Sequence, residues 1–350
     1  MRMWHRIRAG LLAALVICTV LCGSWAGGRA AMAAVKPLES PAESLAGGIG
    51  GKFAGSGIRR HSFLMVGEEN PTIFMIKGGK VIWTYRLPKS KRFTELDDVT
   101  QLTNGNIVFD TGTGAREITY PGKKVVWNYE GPPHTQIHCA QPIGLNKVLI
   151  MQNGNPAKLL IINIHTRKII KEMILPTREP ATKWMQVHGQ FRHVEMTAAG
   201  TFLVPHMDLN KVCEYTPAGK VIWTCPFKSP WAAVRLKNGD TLISGNGYGD
   251  VVEVNPAAKV VWKFSNRNMP PGFRLYTVQE CDRLANGNTL ICNWSGNRKQ
   301  WRTMAQIVEV TPQKKVVWIL HDFRDIPAPG SSIQLLGQPG NPEIPGQQQR

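Results

Sequence analysis

A chain of 350 residues, 43% hydrophobic and 19% charged, is long enough to bury a large core. Its formal charge of +18 favours anionic partners such as lipid headgroups, cell-wall polymers, nucleic acid or acidic ligands, with a solvated, soluble surface as the preferred reading. No arginine-rich run marks a dedicated nucleic-acid segment, and beyond the N-terminus no stretch approaches the ~20 apolar residues that cross a bilayer, which excludes a helical membrane span.

Arg2, Arg6 and Arg8 followed by the apolar run from Ala9 to Leu21 have the form of a signal peptide, too short and lopsided for a span. Small-residue sites lie at Ser24-Trp25-Ala26 and Ala31-Met32-Ala33, and the second is preferred. Residues 1–33 are therefore expected to direct export and be removed, leaving a soluble periplasmic or secreted protein. Ile17 and Leu21 precede Cys18 and Cys22 where a lipoprotein signal wants a small residue, which disfavours a lipid anchor. Residues 34–60, rich in Gly, Ala, Ser and Pro without an apolar period, are expected to be a disordered lead-in.

From residue 61 the chain repeats one phrase. Its clearest copy runs from Trp231 to Phe264: Val234-Arg235-Leu236, the turn Asn238-Gly239, Thr241-Leu242-Ile243, a glycine loop over 245–249, Val251-Val252-Glu253-Val254, then Lys259-Val260-Val261-Trp262. This is a four-stranded antiparallel meander. Copies close at Trp127, Ile170, Trp223 and Trp318, with adjacent closing tryptophans 39 to 56 residues apart, close to a propeller-blade period. Residues 61–66, 72–76 and 81–85 match the second to fourth strands, with no innermost strand before them. Residues 331–336 resemble a lone first strand. Pairing the two completes a blade and leaves no open seam. The expected fold is an all-β propeller over residues 61–336 with about six blades, or seven if 173–192 hides strands, followed by a disordered tail at 337–350.

Five cysteines follow the signal. Cys281 and Cys292 lie symmetrically about Asn286-Gly287, and Cys213 and Cys225 nearly so about Pro217-Ala218-Gly219. Both pairs are candidate cross-strand disulfides in an oxidising compartment, with buried thiols as the alternative. Against Cys281–Cys292 stands its place on a wide hydrogen-bonded pair of a two-residue hairpin.

Turns between first and second strands, and between third and fourth, are tight; the inter-blade and second-to-third loops are long and share the other face, where binding residues usually sit. Registering the repeats brings Asp97-Asp98, His138-Cys139, Arg192-His193, Trp231-Ala232, Gln279-Glu280 and Ser332-Ile333 to the starts of the innermost strands. A central funnel rimmed by Asp98, His138, Arg192, His193, Trp231 and Glu280 could hold a polar or anionic ligand, with histidine available for acid–base work. The alternative is a polar, water-filled channel that satisfies itself. His134, His138, His188, His193 and His206 lack a metal-ligand spacing, so no metal is expected, and no cofactor. The glycine loop is followed by a strand rather than a helix, so it lacks the amide-lined terminus of a phosphate cradle. Trp294, Trp301 and Arg302 in the last long loop could stack on a ligand, or simply pack the loop.

The phrases Leu284-Ala285-Asn286-Gly287-Asn288-Thr289-Leu290-Ile291, Val308-Glu309-Val310 and Lys315-Val316-Val317-Trp318 resemble exported bacterial propeller repeats of the PQQ-like and arylsulfotransferase-like groups. The resemblance covers residues 61–336 and concerns the fold, since these repeats serve enzymes and non-enzymes alike. Eight blades, an acidic calcium set and adjacent cysteines characterise many quinoproteins; this chain has six repeats and no Cys-Cys pair. In arylsulfotransferases a channel histidine is transiently sulfated with help from further His and Arg. His138, His193 and Arg192 are the candidates for that chemistry here, without a full motif match. The leading expectation is a monomeric, non-catalytic propeller binding a ligand or protein through its long-loop face and funnel; sulfuryl transfer is the alternative.

Overall fold

The computed structural model describes Phe53 and residues 56–245 and 249–347. Residues 1–33, expected to be a signal peptide, most of the expected lead-in, residues 246–248 of the glycine loop and residues 348–350 of the expected tail lie outside the described residues. The repeats fold as expected into six four-stranded antiparallel sheets arranged as a β-propeller. The composite blade is present: Ser332–Leu335 pairs with Phe63–Gly67, Phe63 opposite Leu335 and Met65 opposite Ile333, and Asn70–Lys77 and Lys80–Arg86 complete it. Numbering blades from this one, the others are 99–130, 136–175, 195–226, 230–264 and 277–320. Strand alternation sends one set of apolar residues into each inter-blade layer, as where Leu64, Ile73 and Trp83 of blade one meet Val99 and Phe109 of blade two. Residues 173–192 hold no further blade; the short helix Trp184–His188 lies there. No helix among the described residues is long and apolar enough to cross a membrane.

The inner hairpins correct the expected turn. Leu284 N donates to Asn288 O at 2.8 Å and Gly287 N to Leu284 O at 2.9 Å, and the same pattern joins Leu102 to Asn106 and Leu236 to Asp240. These are three-residue loops whose glycine takes positive φ, 89° at Gly105, 90° at Gly239 and 85° at Gly287. A loop one residue longer moves the register by one, which sends side chains to the opposite face. Cys281 therefore faces Ile291 while Cys292 pairs with Ile307; in the outer hairpin of blade four, bulged between Glu214 and Tyr215, Cys213 faces Thr224 while Cys225 pairs with Val212. The candidate disulfides are not formed; all five cysteines are buried thiols.

Five blades carry a bulge where the third strand meets the closing tryptophan. It sets Trp127 opposite Glu117, Trp223 opposite Glu214, Trp262 opposite Glu253 and Trp318 opposite Glu309. The indole N–H reaches across the seam to a turn carbonyl of the next blade: Trp83 to Pro121 (3.1 Å), Trp223 to Pro256 (2.8 Å) and Trp262 to Pro312 (2.8 Å). The glutamates cross the same seams, Glu214 to Arg235 (2.5 Å) and Glu253 to Arg283 (2.6 Å). These three seams thus carry a directional latch beside their apolar packing.

Both flanking segments depart from expectation. Ser56 bridges Ile319 in parallel, Trp318 Nε1 donates to Gly57 O at 2.8 Å, and Ile58 is buried in the seam between blades six and one. Residues 56–60 therefore belong to the fold rather than to a disordered lead-in. Residues 337–347 are likewise ordered across the tight-turn face. Glu343 is buried, its carboxylate accepting from Thr103 N (3.3 Å) and Thr103 Oγ1 and its carbonyl from Gly144 N (2.7 Å). Composition misleads here because the ring offers unpaired turn amides that the segment satisfies.

Candidate functional site

The residues registered at the innermost strands do converge on the axis, but as packed side chains rather than a funnel rim. Asp97, Asp98, His138, Arg192, His193, Trp231, Gln279 and Glu280 are all buried. His193 lies centrally: Nε2 contacts Asp97 O at 3.1 Å, Nδ1 lies 3.7 Å from Glu280 Oε1, and its ring packs on Trp231 at 4.5 Å. The void beside it, lined by His193, Ala232, Glu280 and Asp282, is about 30 Å³, room for one water. Of the last-loop candidates, Trp301 is 5% exposed, donates to Ser295 O at 2.7 Å and stacks on Phe323 at 4.6 Å, so it packs the loop. Trp294 is half-buried and Arg302 exposed on the same loop.

The charged cluster near the long-loop end is larger than the sequence suggested. Asp110, at the end of the second strand of blade two, accepts from the backbone N–H of Asp97 and Asp98, both at 2.8 Å, and of Gly112 at 3.0 Å. Burial outweighs these donors and pushes its carboxyl up to about 7. Burial, with Glu95 next, holds Asp97 well above the usual carboxylate range; burial, Glu95 and Asp97 do the same to Glu68. Burial and then Arg192 lower His138, and the same two causes lower His188 to about 2.

Hydrogen-bond accounting orders the protons. Arg192 Nη2 donates to His188 Nε2 (2.8 Å), so His188 carries its proton on Nδ1 and donates to Gln136 Oε1 (2.9 Å). A flipped Gln136 amide would set donor against donor. His138 Nε2, 2.9 Å from the same oxygen, must also donate, which leaves His138 Nδ1 facing Asp97 Oδ2 at 2.7 Å and Glu95 Oε2 at 3.3 Å. A raised Asp97 and a lowered His138 agree on one arrangement, a protonated Asp97 donating to a neutral imidazole. Gln279 Nε2 closes the far end on Glu68 Oε1 at 2.6 Å. One consequence is that Gln136 Nε2, in a side chain 3% exposed, has no acceptor.

Glu95, His138 and His188 offer atoms within 4.8 Å of one another, a reach that suits a three-ligand metal site. The donor set fits poorly, because Arg192 already occupies the Nε2 lone pair of His188 and places a positive charge beside it.

Gln136 is also the floor of a cavity of about 920 Å³ that opens on the long-loop face between blades two and three. Most of its wall comes from inter-blade and second-to-third loops, with Gln136, Gln152 and Lys158 supplied by strand ends of blade three and Trp184 by the short helix. Lys91, Arg92, Lys158 and Lys183 line it and no acid does. Arg92 is committed to Glu130 (3.4 Å) and Gly131 O (3.0 Å), and Lys158 to Glu172 (2.8 Å); Lys91 and Lys183 make no ion pair among the described residues. Trp184, 49% exposed, stacks one face on His188 at 4.6 Å and meets the edge of Phe93 at 5.3 Å. The sequence reading missed this site. Strand alternation from His138 to Gln136, and the four-residue step from His188 to Arg192, were the available signals.

No protein-family model matches the chain, and no curated protein matches its sequence. Among solved structures it is similar to a Bacteroides caccae protein of unknown function, at 25% identity and a TM-score of 0.69 over 78% of this chain and 97% of that one. It is also similar to a streptogramin B lyase, at 13% identity and a TM-score of 0.51 over 76% and 82% of the two chains. The second likeness concerns the propeller fold alone.

Proposed function

We propose that the chain is an exported, non-catalytic propeller that binds an anionic ligand on its long-loop face, at the cavity between blades two and three. The carrying observation is that this cavity, about 920 Å³, is lined by four cations and no acid. The export half rests on the basic and apolar N-terminal pattern. The ligand is assigned to this cavity rather than to an axial funnel because the axial residues are buried against one another. A panel of anionic and neutral compounds, read by the shift in Tm, tests it. An anion that stabilises the protein should lose its effect in the Lys91→Glu/Lys183→Glu double variant and keep it in Lys237→Glu on the opposite face. The reverse pattern would move binding to the tight-turn face. Sulfuryl transfer is placed second because both ring nitrogens of His138 are engaged; aryl-sulfate turnover abolished by His138→Ala would promote it.

A further inference from the structure

Resting on the long-loop-face reading, we propose that this cavity recognises an acidic oligosaccharide, with a uronate carboxylate meeting Gln136 at the floor and a pyranose ring lying on Trp184. Three observations carry this. First, the Gln136 Nε2 donor is buried, fixed in orientation by two histidine donors on its oxygen, and lacks an acceptor; such a group costs stability unless something entering the cavity accepts from it. A carboxylate oxygen does so. Second, the cations left unpaired are the lysines Lys91 and Lys183, while the one arginine fork on the wall is spent on Glu130 and backbone carbonyls. Point charges on flexible stems suit carboxylates spaced along a chain, whereas planar bidentate reading of a phosphate has no free guanidinium here.

Third, Trp184 is 49% exposed, held in place by His188 stacked on it at 4.6 Å and by Phe93 in a T-shaped contact at 5.3 Å. A flat apolar plate among Thr113, Asn155, Thr182 and Pro156 matches a sugar, whose C–H face is apolar and whose rim is hydroxyl. Successive bases of a nucleic acid would want several stacking faces along a groove.

The test is calorimetry with tetragalacturonate against the neutral cellotetraose at fixed salt. Wild type should bind the acidic tetramer and not the neutral one. Trp184→Ala and Gln136→Leu should each weaken binding by about tenfold or more, Lys91→Ala and Lys183→Ala by less and in a salt-dependent way, and Lys123→Ala not at all. Trp184 is on the surface, so its variant keeps the test sound if Gln136→Leu does not fold; an unchanged Tm checks this. Equal binding of the neutral tetramer, equal loss in Lys123→Ala, or tighter binding of an oligothymidylate would each overturn the proposal. If tetragalacturonate fails to bind while another anion still needs Lys91 and Lys183, this inference falls and the broader reading stands. If binding of every anion is indifferent to those lysines, both fall.

Discussion

Arg192 and His188 are joined side chain to side chain, Nη2 to Nε2 at 2.8 Å, and that contact sets the tautomer of a ring that in turn fixes Gln136 and His138. The same guanidinium donates through Nη1 to the carbonyls of His188 and Phe191, and its charge opposes, without overcoming, the burial that raises Glu68 and Asp97. Arg192 therefore acts as a positioning group for the cavity floor, not as a ligand contact.

Replacing Arg192 by Leu should destabilise the protein by roughly 1–3 kcal/mol, the usual cost of leaving buried acceptors without their donor. Arg192→Lys should recover little, because one ammonium cannot serve three acceptors arranged about a planar fork. Urea unfolding of the three proteins measures this. A loss under 1 kcal/mol would show that the network does not depend on the fork.

Trp262 to Pro312 represents the seam latch in its simplest form. Trp262→Phe keeps an aromatic ring between the sheets and removes only the N–H donor, so a cost of about 1 kcal/mol is expected, with the Pro312 carbonyl partly rescued by water at this half-exposed edge. A much larger loss would mean that the indole's bulk, and not its hydrogen bond, holds blades five and six together.

Much of the ring was legible because period and turn chemistry are local. The Asn-Gly turns, the Val-Glu-Val strands and the closing tryptophans each report on a few neighbouring residues, and the absent first strand before residue 61 forced the pairing of Ser332–Leu335 with Phe63–Gly67. Registration of the repeats also found which residues meet at the axis. What it could not supply was depth: Asp98, His193 and Trp231 reach the same circle whether that circle is open or filled, and here they fill it. The cavity escaped because it is assembled from five loop regions that do not repeat, with Gln136 and Trp184 brought together across about fifty residues. The Cys281–Cys292 disulfide failed on a single residue of loop length, which period counting does not resolve, whereas Cys213 and Cys225 stand unequally about a turn and a bulge.

His206 gives a pH dependence with a definite sign. It is wholly buried, with Nε2 2.9 Å from Tyr215 Oη, and burial followed by Lys211 lowers its pKa to about 3. The unfolded chain, near 6.5, then binds the proton first, so this group's contribution is complete above pH 6.5 and is lost as pH falls toward 3. The stability gap between wild type and His206→Gln should narrow by roughly 1.5 kcal/mol between pH 6.5 and pH 5. A gap that stays constant across that range would place the folded-state pKa of His206 near its ordinary value.

The segment after the ring-closing strand should behave as part of the fold. Glu343 is 4% exposed and its carboxylate accepts from the amide and hydroxyl of Thr103, while Gly346, at φ +77°, passes so close to the 198–200 turn that an added Cβ would meet Ala198 Cβ at 2.5 Å. The segment therefore ties the inner hairpins of blades two, three and four across the channel mouth. A chain ending at Leu336 keeps the pairing of Ser332–Leu335 and should still close, but it loses charge-assisted bonds worth about 1.5–3 kcal/mol. Glu343→Ala should account for most of that loss, and Gly346→Ala for a smaller part through strain alone. Urea unfolding together with limited proteolysis reads all three variants. If a protease removes residues 337–350 from the intact protein as fast as from a free peptide, the segment does not hold the position described, and truncation should then cost nothing.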